Sequence, residues 1–511
     1  MPRSRLRFAL LTTLTVLAAG CGSADPGTSV RLAVTYDDAL GLDDAEVKIA
    51  ERSETGPPAH ELLLLVADAA ADSQIEIAVW GRKAGARVAY GTATVTPRRG
   101  VEVSARLELS TCMPGCAGNQ LRACGPPVSC ALGCSVAGAP HCVAPAMSNG
   151  VMEAYLDGVT EPILIADDTL IDGDTGAITG GLSRAAGTGI DHGIGFTLQS
   201  TTGDDLAVFA FRDLTIGGNV RITGTHAVVL LVGESVTMAG VIDVAGGHDS
   251  PASHGPGGGV GSTERDLAGG CGPGGPGGKA VLYDSGGGGG GAASEGGLGG
   301  PAGASQALAG GDQGSVCFTP ELEPLRGGSG GGRGGRGSSA SSASGGGGGG
   351  ALQITALVSL EITGTIDAGG AGGALGAPGN GDGDTGGGGG GGAGGAILLE
   401  APQVTVASTA ILVANGGGGG GGGGPGIGYA GQNGPRGAFP AMGGAGAALD
   451  LPNNGGGSGG ANAFGDFGSA GELDGGGGGG SYGTIVIRGR DLSVAGTISP
   501  PARQLDVHPP I

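Results

Sequence analysis

The sequence predicts an all-β protein in three parts: an N-terminal Ig-like β-sandwich, a Cys-rich disulfide module, and a C-terminal glycine-rich β-helix-like repeat domain. Three observations carry this. Residues 30–110 alternate apolar and polar side chains with period two, six cysteines crowd into 112–142, and a short apolar unit ending in glycines recurs at 236–247, 360–370, 404–417 and 492–498. Tracts of nearly pure glycine separate the later units. With 124 glycines and 3% aromatic residues in 511, large side chains are scarce, so each core must be small and local.

The chain opens on Arg3, Arg5 and Arg7, an apolar run over 8–17, and Leu17-Ala18-Ala19-Gly20-Cys21. That run is too short to span a bilayer and has the layout of a secretory signal, placed at 1–20 with a linker at 21–29. Leu17 to Cys21 resembles the lipobox of bacterial lipoproteins, with Ala18 where the commonest pattern has leucine. The resemblance implies cleavage before Cys21, a diacylglycerol on its sulfur and an acylated amino group. Two or three chains, at about 0.8 kcal/mol per buried CH₂, hold a protein on a membrane where one does not. Gly22 in place of aspartate implies transfer to an outer membrane. The chain is therefore expected to be exported, lipid-anchored to the cell envelope, and in contact with the membrane through its N-terminal lipid.

The net charge of −21 argues against a nucleic-acid partner, which demands clustered Lys and Arg. Lipidation of Cys21 leaves eight of nine cysteines to pair. Cys112, Cys116, Cys124, Cys130, Cys134 and Cys142 read as a duplicated C-x3-C-x7-C module over 111–145. Three cysteines per half force at least one bridge between halves, and the other pairings stay open. Zinc is the rival, with His141 as a further ligand, but zinc sites favour two-residue knuckles and this chain is exported.

Within 30–110, Val30, Leu32, Val34 and Tyr36 oppose Arg31, Ala33 and Thr35, and comparable runs follow at 75–79 and 101–109. These are half-buried antiparallel strands, with turns at 55–58 and 97–100. Trp80, the only tryptophan, is expected in or near the core.

The repeat domain is placed at 146–499, with a Pro-containing tail at 500–511. Each unit has one strand (228–232, 352–354, 397–399, 485–487), a second (236–238, 360–362, 404–406, 492–494) and a very short third, as a β-helix rung requires. Unequal spacing between copies is the main objection, since a solenoid repeats at a fixed period, and an open sandwich of the same units is the alternative. Polyglycine loses the most entropy on ordering, so residues 246–350 are expected to be a flexible insertion spanning about 50–60 Å. The competing state is a packed layer of threefold, polyproline-II-type chains. Cys271 and Cys317 lie in that insertion, and a bridge between them favours order by about 4 kcal/mol.

No catalytic set emerges, and the chain is not expected to be an enzyme. Gly-x-Ser-x-Gly around Ser329 and Ser458 lacks the strand-to-helix elbow a nucleophile needs. Arg326, Arg333 and Arg336 among glycines resemble RNA-binding RGG boxes, against which charge and export both argue. Asn380, Asp382 and Asp384 alternate as calcium ligands do, and 172–176 is a shorter echo. Neither supplies the later bidentate carboxylate, so Asx turns are expected and calcium is the weaker reading; no other cofactor is implied. His248 and His254 read as exposed loop residues, and Asp243 and Asp367 as turn carboxylates. The glycine tracts resemble PE-PGRS-like bacterial surface proteins, without the PE domain. A structural or adhesive surface role follows. The alternatives are a protein that binds or cleaves polysaccharide, since β-helices resemble polysaccharide lyases and hydrolases, or a polyglycine layer that binds ice or another surface.

Overall fold

The computed structural model describes the strand Leu6–Phe8 and residues 28–506, apart from 50–51, 68–69, 114, 119, 123, 131–132, 137–139, 144–145, 202–204, 281–282, 304–305, 337–341, 377–384, 425–427, 448–453 and 462. The fold is nearly all β, with no α-helix among the described residues. It divides into two compact units, 1–143 and 144–511.

In the first unit a four-stranded and a five-stranded sheet enclose one core. Val30, Leu32 and Val34 from one sheet meet Val47, Ile77 and Val79 from the other, as period two dictates. Two pairings depart from the antiparallel expectation: Ser29–Thr35 and Glu102–Glu108 run parallel, from Ser29↔Glu102 to Thr35↔Glu108, and Leu6–Phe8 runs parallel to Glu61–Leu65. Trp80 is 5% exposed, lies under the Arg87 guanidinium at 4.3 Å, and donates from Nε1 to Cys124 O at 2.7 Å. Disulfides join Cys112 to Cys124 and Cys116 to Cys134, the second crossing between halves of the module, and Cys130 is disulfide-bonded too.

The second unit is built on three sheets of six, seven and eight strands. Successive turns of the chain add one parallel strand to each sheet. The turn beginning Ala227–Val232 continues through Ser235–Met238 and Val241–Asp243; Ala351–Ala356, Ser359–Ile362 and Thr365–Asp367 then lie directly against those strands. Register holds down the stack, with Val228, Leu352, Ile397 and Ile485 in one column and Val236, Leu360, Val404 and Leu492 in another. Leu206–Phe211, Asp213–Ile216 and Asn219–Thr223 form a further turn of the same kind. Inward side chains fuse into one core, where full burial of each Val, Ile or Leu contributes about 1.5–3 kcal/mol.

Every glycine-rich insertion, 244–350, 368–395 and 414–483, leaves after a strand of the seven-stranded sheet and returns to one of the eight-stranded sheet. All use the same corner. Insertions of any length therefore leave strand register intact, which removes the objection from unequal spacing. The central strands of the eight-stranded sheet are buried on both faces: Val229, Leu231 and Leu398 point away from the central core and pack with Val151, Leu322 and Leu325. Leu206–Phe211 and Ala227–Val232 read as continuous apolar runs for that reason.

The flexible-insertion expectation for 246–350 fails. Glycine segments pack side by side, and each successive residue bonds a different neighbour, with a return every third residue. In 386–395, Gly390 and Ala393 donate to Gly332 and Ser329, Gly391 and Gly394 to Gly478 and Ser481, and Gly392 and Gly395 to Ala371 and Ala368. The same segment accepts from Gly287 and Gly290, Gly346 and Gly349, and Gly417 and Gly420. Six neighbours with threefold hydrogen bonding make a hexagonal lattice of polyproline-II-type chains. A Cβ inside it would break it: one built at Gly391 lies 2.1 Å from Gly417 O, and one at Gly477 lies 2.0 Å from Gly389 O. Order wins over glycine's entropy because the amides, which have no other partners at that depth, are satisfied between chains. The Cys271–Cys317 disulfide closes a loop of the longest insertion within this lattice.

Candidate functional site

Two surfaces of the second unit carry unusual chemistry. The first is a charged trough on the outer face of the seven-stranded sheet. Asp243 and Asp367 are register partners on adjacent strands, so their carboxylates stand side by side. As the turn reading expects, Asp243 Oδ1 accepts from Ala245 N–H at 3.0 Å and Asp367 Oδ1 from Gly369 N–H at 2.9 Å. Each second oxygen is taken by one guanidinium: Arg436 Nε donates to Asp367 at 2.7 Å and its terminal nitrogen to Asp243 at 2.8 Å. His248 Nε2 lies 2.9 Å from Asp243. Arg436 comes from the insertion 414–483, where Asn415 fixes the backbone by donating to Pro435 O and Gly437 O.

The two carboxyls titrate in opposite directions. Burial opposes ionisation of Asp243, but the His248 and Ala245 hydrogen bonds and the Arg436 charge outweigh it and hold its pKa below the ordinary value. Deeper burial of Asp367 prevails over Arg436 and raises its pKa. Beside this cluster lies a trough of about 600 Å³ lined by Asp168, Leu170, Asn219, Arg221, Asp243 and Arg436. A second depression of about 230 Å³ shares Arg221 and continues past His248, Asp249 and His254. The side chains are braced: Asn219 donates to Asp168 at 2.8 Å and Arg221 to Asp249 at 3.2 Å. Sequence reasoning missed the trough. The recurrence of Asp243 and Asp367 at one point of the unit marked half of it; nothing in the spacing announces Arg436, 69 residues beyond Asp367.

The second surface is the outer edge of the lattice. Segment 454–460 has neighbours on four sides only among the described residues: 441–447, 416–424, 475–481 and 464–469. Tyr429, Phe439, Met442, Phe464 and Phe467 are each more than half exposed on this part of the chain.

The remaining sequence candidates resolve as follows. Cys21 lies outside the described residues, as do Asn380, Asp382 and Asp384. Asp172 makes an Asx turn, accepting from Asp174 N–H at 2.9 Å and from the Thr175 hydroxyl at 2.7 Å. No group of three or more His, Cys, Asp or Glu among the described residues is placed to hold a metal ion. His254 Nδ1 sits 2.7 Å from Gly255 O, and Arg336 pairs with Glu264 at 3.6 Å. Ser329 is fully buried and its hydroxyl accepts from Gly272 N–H at 2.8 Å, a lattice role. No described helix is long and apolar enough to cross a membrane.

A further polar cluster was not anticipated. Glu400, 0% exposed, accepts from Ser148 N–H at 3.2 Å, from the Ser148 hydroxyl at 2.9 Å and from Thr355 Oγ1 at 3.1 Å. Arg488 bonds Ser148 and pairs with Glu323 at 2.7 Å. Burial raises the pKa of Glu400. This cluster fastens residues 148–150 and the 319–325 loop over the eight-stranded sheet.

Comparisons with protein-family models, with curated proteins and with solved structures find no match for this chain.

Proposed function

We propose that this chain is an exported envelope lipoprotein, anchored in the outer membrane through Cys21, whose distal domain is a β-helix bearing a polyglycine lattice as a rigid structural or adhesive surface. In this reading the first unit is an Ig-like sandwich that, with the disulfide module, has no catalytic role. The packed lattice is the observation that supports it. A flexible spacer has no use for glycines at which an added methyl would strike a neighbouring carbonyl, whereas a rigid display surface requires them. Metabolic labelling with a palmitate analogue tests the anchor: label is expected in the wild-type chain and absent from Cys21→Ser. Equal labelling of both would overturn the lipoprotein reading.

The trough favours a second reading, binding of a neutral glycan. Braced Asp, Asn and Arg side chains around exposed Leu170 offer fixed donors and acceptors to vicinal hydroxyls and an apolar patch to a sugar face. Glycan-array binding by the full chain that is lost in Arg221→Ala would promote this reading; an array without signal would retire it.

A further inference from the structure

In the lattice, each residue's N–H points a third of a turn from the last, so every segment bonds in three donor directions and three acceptor directions. At the outer edge some of these are left over. Gly456 and Gly459 donate to Gly444 and Ala441, Gly457 and Gly460 to Gly477 and Gly480, while the N–H groups of Gly455 and Ser458 donate to nothing among the described residues. Residues 454, 457 and 460 accept from 416–424, and 455 and 458 from 464–469, which leaves the carbonyls of Gly456 and the buried Gly459 without a donor among the described residues. In 441–447, Gly444 and Ala447 donate inward to Gly419 and Gly422, and Met442 and Ala445 accept from Gln432 and Tyr429. Gly443 and Gly446 make no hydrogen bond with either backbone group among the described residues. Gly443, Gly446, Gly455, Gly456 and Ser458 lie at this edge of the lattice, where Gly443, Gly455, Gly456 and Ser458 are not fully packed over.

By the hexagonal geometry, the donors of Gly443 and Gly446 and the acceptor of Gly456 converge on one lattice position, above the seam between 441–447 and 454–460, that no described residue fills. From the structure we infer that this position is a binding site for a single polyproline-II segment with glycine at every third residue. An edge that offers donors and acceptors in register is a template, as a sheet edge is for a strand. The chain demonstrates the match itself, since 454–460 occupies the corresponding position over 416–424 and 475–481. Buried segments have six neighbours and tolerate glycine almost alone. An added chain has two, so only one Cβ direction in three meets the lattice and only that residue has to be glycine. The other two positions face outward and accept proline, which pre-sets the conformation and lowers the entropy of binding. A three-residue repeat of about 9 Å is common to both partners, so contacts stay in step along the seam. The chain carries −21 overall, which selects basic residues at an outward position.

This proposal deepens the adhesive reading by naming the partner's chemistry, and rests on it. The purified full chain would be titrated with a labelled (Gly-Pro-Arg)₅ peptide and with (Ala-Pro-Arg)₅, which has equal charge. Saturable binding of the first, at least tenfold weaker binding of the second, and a similar loss in Ser458→Phe are expected. Ser458 lies at the rim of the open position, so phenylalanine fills the site without disturbing the packed interior. Phe467→Ala, on the neighbouring ridge, should bind as wild type. Equal binding of both peptides would reduce the effect to charge, and no binding at millimolar peptide would leave the edge without this partner; either overturns the proposal. Self-association that Ser458→Phe abolishes would overturn it too, by assigning the seam to a second copy. Palmitate labelling is independent of these outcomes, so failure of the envelope reading is separately visible.

Discussion

Replacing Gly391 with alanine is the sharpest test of the lattice. The added Cβ would lie 2.1 Å from Gly417 O, 2.7 Å from Gly417 C and 3.0 Å from Gly418 C, all backbone atoms that cannot rotate away. Segment 416–424 has to retreat by about 1 Å to restore an ordinary contact. The retreat breaks or stretches Gly417→Gly392 at 2.9 Å and Gly420→Gly389 at 2.7 Å and strains Gly391→Gly478 at 2.8 Å. Two or three buried amides left without partners cost about 1–3 kcal/mol each, so a loss of about 3–6 kcal/mol is expected. Gly455→Ala is the matched control, because its Cβ meets nothing closer than Gly444 O at 3.6 Å. Its effect should be under about 1 kcal/mol. Denaturant unfolding of both variants, with amide exchange followed across residues 386–395 and 416–424, reads the difference. If Gly391→Ala proves as mild as Gly455→Ala, or if wild-type glycine amides exchange at random-coil rates, the packed lattice is refuted.

Other consequences follow from the polar clusters and the disulfide. Glu400 has a raised pKa in the fold, so the stability it contributes is complete below its unfolded value and declines as pH rises through the folded one. Glu400→Gln should therefore gain stability relative to wild type as pH rises from about 4 to about 7; a pH-independent difference would sink this assignment. Asp243 runs the other way: its lowered pKa supplies stability above the unfolded value that is lost as pH falls through the folded one. Arg436→Leu removes the charge shared by Asp243 and Asp367, and, with the guanidinium half exposed, should cost about 1–3 kcal/mol at neutral pH and less under acid, read by thermal unfolding at both. Serine at both Cys271 and Cys317 should destabilise the 246–350 insertion by up to about 4 kcal/mol. Amide exchange there should speed up while the strand columns around Val228 and Leu352 keep their protection.

How much of this was legible follows from which forces act locally. Val236 to Met238 and Leu360 to Ile362 advertise themselves because a coil's inward face needs apolar residues at fixed places, and the unit's sequence repeats for that reason. The burial of Trp80, under Arg87 and against Cys124 O on the face opposite Ile77 and Val79, and the Asx roles of Asp172, Asp243 and Asp367 were legible on the same grounds, since burial and turn chemistry depend on near neighbours. The turn at 206–223 was not recognised as a unit, because Phe209 and Phe211 replace the smaller residues of the other copies and no glycine tract follows it. Partners joined across long separations left no trace. Arg436 meets Asp243 over 193 positions and Arg488 meets Ser148 over 340, and no spacing rule links them. The polyglycine tracts fall between: the flexible insertion and the packed layer of threefold chains were both open from composition, and only the presence of six neighbours, invisible from any one tract, decides for the packed one.

The lattice depends on the strand stack for a quantitative reason. Ordering a residue's backbone costs about 1–2 kcal/mol, and a net hydrogen bond returns about 0.5–1.5. Glycine sits at the expensive end of the first range and has no side chain to bury, so a free bundle of such segments would hover near zero or fall below it. The stack changes the balance. Each insertion starts and ends on adjacent coils whose strands are held in register by the central core, so both ends of a segment such as 386–395 are already placed before its amides pair. The loop-closure entropy that would oppose a free bundle is largely met by apolar burial elsewhere. A common exit corner follows as a requirement, because segments leaving from different corners would enclose the stack and could not share neighbours. Surface chemistry follows as well: a lattice assembled this way must end somewhere, and at 441–447 and 454–460 it ends on glycine amides beside Met442 and Ser458 that find no partner among the described residues, not on a closed rim of bulky side chains.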